Sequence, residues 1–198
     1  MNRRNTIWLL CAMTGFLRLG PTVAAAAIST EEALALYVLN CAYYGTWPDR
    51  LNPRTTGQLR IAVVGKDPMG SRLEAVAARA RASWFEKGIV EVVRAARPEN
   101  LTGSFHIVFV AGSDRKLIEP TLLKFAGEPV MTVGNSSDFA TEGGMVELAI
   151  RNERLTFVLN LDRLEAAGLV LHSRMKILAA GFIRNGRYEA NERQTRGR

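Results

Sequence analysis

A glycine-containing turn between a predicted strand and a predicted helix has the clearest potential for chemistry. Gly65 and Gly70 have the G-x-x-x-x-G spacing of a phosphate-binding P-loop. A P-loop continues with lysine and then serine or threonine, whereas this chain continues with Ser71 and Arg72. Asp67 also places a negative charge where a phosphate would bind. The pattern therefore excludes nucleotide hydrolysis and leaves two interpretations, a capped turn or a non-catalytic site for an anion or small ligand.

The other nucleophiles, acids and bases are not arranged as an active site. His106 lies within an apolar run, which favours a structural histidine, and His172 beside Ser173 is not part of a G-x-S-x-G motif. A phosphate-accepting receiver domain needs an aspartate at the end of its third strand, but the first carboxylate after that strand is Asp114. We therefore expect no enzyme, no catalytic residue and no cofactor.

The cysteine content excludes a zinc cluster and a disulfide framework, because the chain has only Cys11 and Cys41. Cys11 lies in an N-terminal segment that is predicted to be removed, so the mature chain keeps Cys41 alone. Cys41 lies on an apolar predicted helix, and we expect a buried, unreactive thiol. A disulfide-linked homodimer is the alternative, and it requires that this helix face is exposed. No metal site is predicted.

The positive charge is concentrated at the two ends of the chain. The formal net charge is +7, of which the first 26 residues carry +3 and residues 184–198 another +3, so that residues 28–183 carry only +1. A nearly neutral body produces no field that would attract nucleic acid, and no nucleic-acid partner is expected. Residues 184–198 are predicted to be a disordered basic tail, with a contact to phosphates or acidic lipids as the alternative.

Residues 1–27 have the features of a secretory signal peptide of the Sec type. Arg3 and Arg4 provide the positive start, and residues 7–17 form an apolar run too short to span a bilayer. Pro21 and the alanines of Ala24–Ala27 then provide a helix break and a cleavage site. We expect an exported protein that is not inserted in the membrane after cleavage. An uncleaved signal anchor is the alternative.

The elements that would position these residues alternate between helices and strands, which predicts a single α/β domain over residues 28–183. We expect a Rossmann-like, mostly parallel sheet flanked by helices, with an appended antiparallel hairpin. The predicted strands are 59–64, 89–93, 105–110 and 129–133, with the hairpin at 145–150 and 155–159. The first predicted helix starts at the capping residue Ser29, with Glu31 and Glu32 in its first turn, and its apolar part is 33–44. The other predicted helices are 67–83 beginning at Asp67-Pro68, 115–125 capped by Ser113, 161–167 and 174–183.

This topology would bring several loop residues to one edge of the sheet, because the carboxyl ends of parallel strands meet there. Gly65, Asp67, Ser113 and Gly134 all follow predicted strands. They form the candidate site of an alternative function, a periplasmic sensor or carrier of a small ligand.

A series of motifs in order along the chain resembles the YfiR family of periplasmic regulatory proteins over Ala33 to Ala180. The matching segments are 37–40 (YVLN), 47–48 (WP), 59–70 (LRIAVVGKDPMG), 106–110 (HIVFV), 130–134 (VMTVG), 139–146 (FATEGGMV), 154–161 (RLTFVLNL), 167–169 (AGL) and 173–179 (SRMKILA). This chain departs from the family pattern in its cysteines. Family members often have a disulfide-forming cysteine at the position that Phe105 occupies here.

The resemblance implies a Rossmann-like α/β fold, a periplasmic location and no catalytic activity. It also implies that the protein represses an inner-membrane signalling protein, such as a diguanylate cyclase, by binding its periplasmic sensor region. A sequestering outer-membrane lipoprotein is implied as a second partner. The lone Cys41 makes redox control through an intramolecular disulfide impossible.

A repressor without chemistry needs a binding surface, and the last predicted helix provides a candidate. Ser173, Arg174 and Lys176 interrupt an otherwise apolar segment at its start. We expect them to contact the partner. A capped and solvated helix start is the alternative interpretation.

Overall fold

The computed structural model describes residues 28–84, 88–151 and 154–192, so the predicted signal peptide lies outside the described residues. The helices are α1 (Thr30–Tyr44), α2 (Pro53–Thr56), α3 (Arg72–Trp84), α4 (Arg115–Lys124), α5 (Leu161–Ala166) and α6 (Ser173–Leu178). The strands are β1 (Gly45–Thr46), β2 (Gln58–Val64), β3 (Ile89–Ala95), β4 (Ile107–Val110), β5 (Met131–Gly134), β6 (Val146–Arg151), β7 (Arg154–Asn160), β8 (Val170–Leu171), β9 (Gly181–Arg184) and β10 (Arg187–Ala190).

One sheet of eight strands, in the order β10-β9-β7-β6-β5-β4-β2-β3, organises the domain. Strands β3, β2, β4, β5 and β6 are parallel to one another. Strand β7 returns antiparallel to β6, β9 runs parallel to β7, and β10 is antiparallel to β9. The expected α/β class, the mostly parallel sheet and the antiparallel hairpin are confirmed.

Both faces of the central strands are buried, which explains their continuous apolar sequences. Successive side chains of a strand point to opposite faces. Ile107 and Phe109 of β4 therefore join the larger core beneath α1 and α3, whereas Val108 and Val110 face the layer that contains α4. A parallel strand covered on both sides cannot alternate polar and apolar residues.

The first helix begins and packs largely as its sequence predicts. The hydroxyl of Ser29 accepts a hydrogen bond from the backbone N–H of Glu32 at 3.2 Å, which caps the first turn of α1. Cys41 lies on the buried face and is 0% exposed, so the expectation of a buried thiol is confirmed.

Two predicted helix starts are wrong. The Asp67 side chain accepts the N–H of Met69 at 2.7 Å, but this caps only a turn, because Gly70 follows with a φ of 54° that a right-handed helix cannot contain. Helix α3 therefore begins at Arg72. Ser113 does not cap α4 either, since the Asp114 carboxylate accepts the N–H of Lys116 at 3.0 Å.

The predicted helix 174–183 is wrong in its second half. Helix α6 ends at Leu178, and Gly181–Arg184 forms strand β9. Strand β9 then turns at Asn185 and Gly186, which have φ values of 50° and 69° and donate their backbone N–H groups to the Asp162 carboxylate. These positive φ angles are those of a tight hairpin turn.

The expectation of disorder throughout residues 184–198 also needs correction. Arg187–Ala190 pairs with β9 as strand β10, and the ring of Tyr188 covers Gly181, where a Cβ would lie 2.5 Å from the tyrosine oxygen. The Asn191 side chain donates to the carbonyl of Ala179 at 2.8 Å. The folded domain therefore extends to Asn191, and residues 193–198 lie outside the described residues.

No described helix has the length and apolar character needed to cross a membrane. The described histidines, cysteines and carboxylates form no group of three or more that could bind a metal ion.

Candidate functional site: the groove between the first and last helices

The start of α6 is positioned by its own cap and by one buried side chain. The Nδ1 atom of His172 accepts the backbone N–H of Arg174 at 3.2 Å, so His172 rather than Ser173 is the N-cap. Met175 is buried in the main core and anchors the helix. Ser173 and Arg174 are exposed and Lys176 is half-buried, which places all three predicted partner residues on the surface.

A two-stranded sheet joins the end of α1 to the start of α6. Strand β1 pairs antiparallel with β8, with Gly45 opposite Leu171, and the N–H of His172 donates to the carbonyl of Tyr44 at 2.8 Å. Gly45 is needed here, because a Cβ on it would lie 2.6 Å from the ring of Trp47. The sheet brings residues that are far apart in sequence to one place.

The cleft at this junction, which we call the α1–α6 groove, has a volume of about 360 Å³. Its lining consists of Tyr43, Tyr44, Gly45, Thr46, Arg54, His172 and Arg174. Two arginines therefore line the groove, and none of the described residues that line it is an aspartate or a glutamate. The guanidinium of Arg174 has neither a hydrogen bond nor an ion pair with any other described residue.

The aromatic and cationic groups of the groove support one another. The rings of Tyr43 and Tyr44 meet edge to face at 4.8 Å, and the Tyr44 ring lies 6.2 Å from the ring of His172. Arg54 Nη2 donates to the Tyr43 carbonyl at 2.6 Å, and the guanidinium carbon lies 5.6 Å from the Tyr43 ring centroid. Such contacts hold these side chains in one conformation before a partner binds, which lowers the entropy cost of binding.

Lys176 belongs to a different cleft from Arg174. It lies with Asp162, Glu165 and Arg184 in the cleft on the far side of α6. The helix therefore presents two unlike surfaces, a cationic and aromatic one at Arg174 and a mixed-charge one at Lys176. Three exposed apolar side chains complete this region of the surface, namely Val170, Ile177 and Leu178.

The alternative ligand residues lie at the carboxyl edge of the sheet as predicted, but the protein's own groups occupy the space around Gly65, Asp67 and Gly134. A Cβ on Gly134 would lie 2.5 Å from the ring of Phe139, and one on Gly65 would lie 3.0 Å from Leu117 Cδ1. Ser113 is exposed in the loop before α4. These contacts favour the capped-turn interpretation over a ligand cavity.

Asp67, the fourth of these residues, is held by an arginine that the sequence analysis did not identify. Arg94 Nε donates to Asp67 Oδ2 at 2.7 Å, and Arg94 Nη1 donates to Glu74 Oε1 at 2.6 Å. The hydrogen bond from Arg94 lowers the pKa of Glu74. Both carboxylates at this turn are therefore already paired with Arg94 within the fold, where a phosphate or metal site would need free groups.

The two groups most suited to catalysis are buried as structural groups. Burial lowers the pKa of His106, whose Nδ1 accepts the backbone N–H of Arg60 at 3.0 Å. Burial raises the pKa of the Cys41 thiol to about 12, so the thiolate is scarce at neutral pH. Neither group lines the α1–α6 groove.

Chains of solved structures and one family model match this protein. Nine chains of solved structures match the protein, among them the crystal structure of a conserved domain protein from Vibrio cholerae O1 biovar El Tor strain N16961, which is 10% identical with a TM-score of 0.49. The match covers 78% of this chain and 60% of the Vibrio chain, so this protein spans less than two thirds of the length of the Vibrio protein. No curated protein matches the chain. A family model described as YfiR/HmsC-like matches residues 31–180, and the chain therefore belongs to the YfiR/HmsC-like family.

Proposed function

We propose that the protein is a periplasmic regulatory binding protein that represses an inner-membrane signalling protein, such as a diguanylate cyclase, by binding its periplasmic sensor region. The YfiR/HmsC-like family is regulatory rather than catalytic and is periplasmic in general. The observation that carries the proposal is the α1–α6 groove, where Arg174 is exposed beside two tyrosines. The burial of His106 and Cys41 agrees with a function that needs no chemistry.

Repression by binding alone requires a difference in affinity. The protein holds a two-state sensor off only if it binds the inactive state more tightly than the active one. A complete switch from on to off takes about 5.5 kcal/mol of such preference. Tyrosine and arginine are enriched among the few residues that contribute most of the binding energy at interfaces, and the groove provides both.

A sequestering outer-membrane lipoprotein would act on the same equilibrium. If it covers the surface that the sensor region needs, the two partners bind in competition and the sensor is released. The exposed apolar residues Val170 of β8 and Ile177 and Leu178 of α6 enlarge the surface available to either partner.

The proposed surface is tested by complementation of a deletion strain. We expect the wild-type gene to restore low cyclic-di-GMP and low biofilm formation, and the variant with Arg174→Glu plus Lys176→Glu to fail although it is exported and folded. The single variants Arg174→Glu and Lys176→Glu show which of the two clefts beside α6 is needed for complementation. Arg187→Glu, on exposed strand β10, is the matched control and is expected to complement. Full complementation by the double variant would exclude this surface.

A further inference from the structure

The α1–α6 groove continues into a second cleft of different character. Helices α1 and α3 leave a cleft of about 250 Å³ between them, lined by Leu36, Leu39, Asn40, Tyr43, Tyr44, Val76 and Ala80. The two tyrosines belong to both clefts. One continuous surface therefore has a cationic end at Arg54 and Arg174 and an apolar end between the two helices.

The charge along this surface has one sign. The arginines Arg54 and Arg174 line its cationic end, and within the described part of the chain neither cleft is lined by an aspartate or a glutamate. The Arg174 guanidinium has no partner among the described residues. Its planar donors are suited to a carboxylate, which accepts two parallel hydrogen bonds from such a group.

We infer that this surface receives a segment of the protein partner in which a carboxylate side chain is adjacent to apolar side chains. The carboxylate binds between Arg54 and Arg174, and the apolar side chains lie against Leu36 and Val76. This inference rests on the proposed function, because it names the chemistry of the segment that the repressor recognises.

Asn40 favours a polypeptide over a lipid as the occupant. Its half-buried side chain lies among the apolar groups of the second cleft and offers an amide NH2 group, with two N–H donors, and one carbonyl acceptor. A peptide backbone can pair with both groups, whereas an acyl chain would leave them without hydrogen bonds. The headgroup of an anionic lipid would pair with the arginines, but its acyl chain would bury the Asn40 amide without hydrogen bonds, which costs free energy.

The test uses a synthetic peptide, acetylated and amidated, in which two glutamates precede a run of leucine and alanine. Its binding to the mature protein is followed by NMR titration of backbone amide signals. We expect shifts at Tyr43 and Arg174, and affinity at least tenfold weaker for peptides with glutamine or lysine in place of glutamate. Arg54→Gln plus Arg174→Gln should weaken binding of the glutamate peptide at least tenfold, and Arg187→Gln should not change it.

Three results would overturn the inference. These are equal affinity for the three peptides, an affinity unchanged by the double variant, or binding of phosphatidylglycerol vesicles that displaces the peptide from the groove. The dispersion of the amide spectrum shows that each variant is folded. The titration involves no cyclase, so it succeeds or fails independently of the deletion experiment.

Discussion

Gly45 lies directly against the indole of Trp47, with so little space that a Cβ would be 2.6 Å from the ring and 2.6 Å from the carbonyl oxygen of Cys41. Trp47 is itself buried. This contact turns the chain out of α1 and into the strand that pairs with β8. The position of Arg174 beside Tyr43 therefore depends on a residue that lies in neither helix.

We expect Gly45→Ala to destabilise the protein by about 1–3 kcal/mol, because the added methyl group overpacks a site bounded by backbone. Urea unfolding monitored by circular dichroism measures the change. Thr46→Ala, at the exposed neighbouring position, is the control and should change the free energy of unfolding by less than about 0.5 kcal/mol. Equal stability of Gly45→Ala and the wild type would contradict this account of the turn.

The buried His106 should make the protein less stable in mild acid. Burial lowers the pKa of His106 in the folded state below the ordinary value of 6.5, so the unfolded chain binds the proton first as the pH falls. The free energy of unfolding should therefore decrease from pH 6.5 downwards, until the folded histidine also protonates.

The variant His106→Asn tests the expected loss of stability in acid. The asparagine side-chain oxygen can still accept the N–H of Arg60, but the asparagine side chain does not titrate in this pH range. Over pH 7.5 to 5, the wild type should lose more stability than the variant. Parallel stability curves for the two proteins would show that His106 does not cause the acid sensitivity.

The sequence predicted the elements well where burial alone determined them. The apolar runs of β2 and β4 are buried on both faces, and only a covered parallel sheet satisfies such a pattern. The prediction of a helix over residues 174–183 was wrong in its second half because Phe182 and Ile183 fit a helix as readily as a strand. The Asn185-Gly186 pair was the signal that could have decided it, since this dipeptide favours tight hairpin turns.

The candidate site could be predicted only in part for a different reason. Arg174 stands out in an apolar segment, so the sequence identifies it. Tyr43 fits the apolar pattern of α1, and Arg54 lies in a short polar connection, so nothing local relates either residue to α6. The pairing of β1 with β8 creates this relationship, and two-residue strands leave no pattern in a sequence.

Cys41 should be unreactive in the folded protein. Its thiol is fully buried, and burial raises its pKa to about 12. We expect a thiol reagent to modify Cys41 at least a hundredfold faster in denaturant than in buffer, and reductant to leave the melting temperature and oligomeric state unchanged. A reductant-sensitive dimer on a non-reducing gel would contradict the buried thiol.

Arg94 should stabilise the turn before α3. It bonds to Asp67, Glu74 and the carbonyl of Gly70, and we expect Arg94→Gln to lower the free energy of unfolding by roughly 1–2 kcal/mol. Because part of this interaction is exposed, the loss should shrink in high salt. Arg79→Gln removes the more exposed ion pair with Glu32 and should cost less. An equal loss for both variants, measured by urea unfolding, would contradict the special role of Arg94.

Export should remove the N-terminal segment. The alanines of Ala24–Ala27 predict cleavage near Ala26 or Ala27. Mass spectrometry of the protein released by osmotic shock should find the shortened chain. Full-length protein retained in the inner membrane would contradict this prediction and indicate a signal anchor.

The central claim is repression of a membrane signalling protein, and the most direct test is the cyclic-di-GMP content of cells that lack the gene. We expect cyclic-di-GMP to rise on deletion and to return to the wild-type level when the gene is restored in trans. A level unchanged by deletion, in cells in which the protein is normally made and exported, would contradict the assignment as a cyclase repressor.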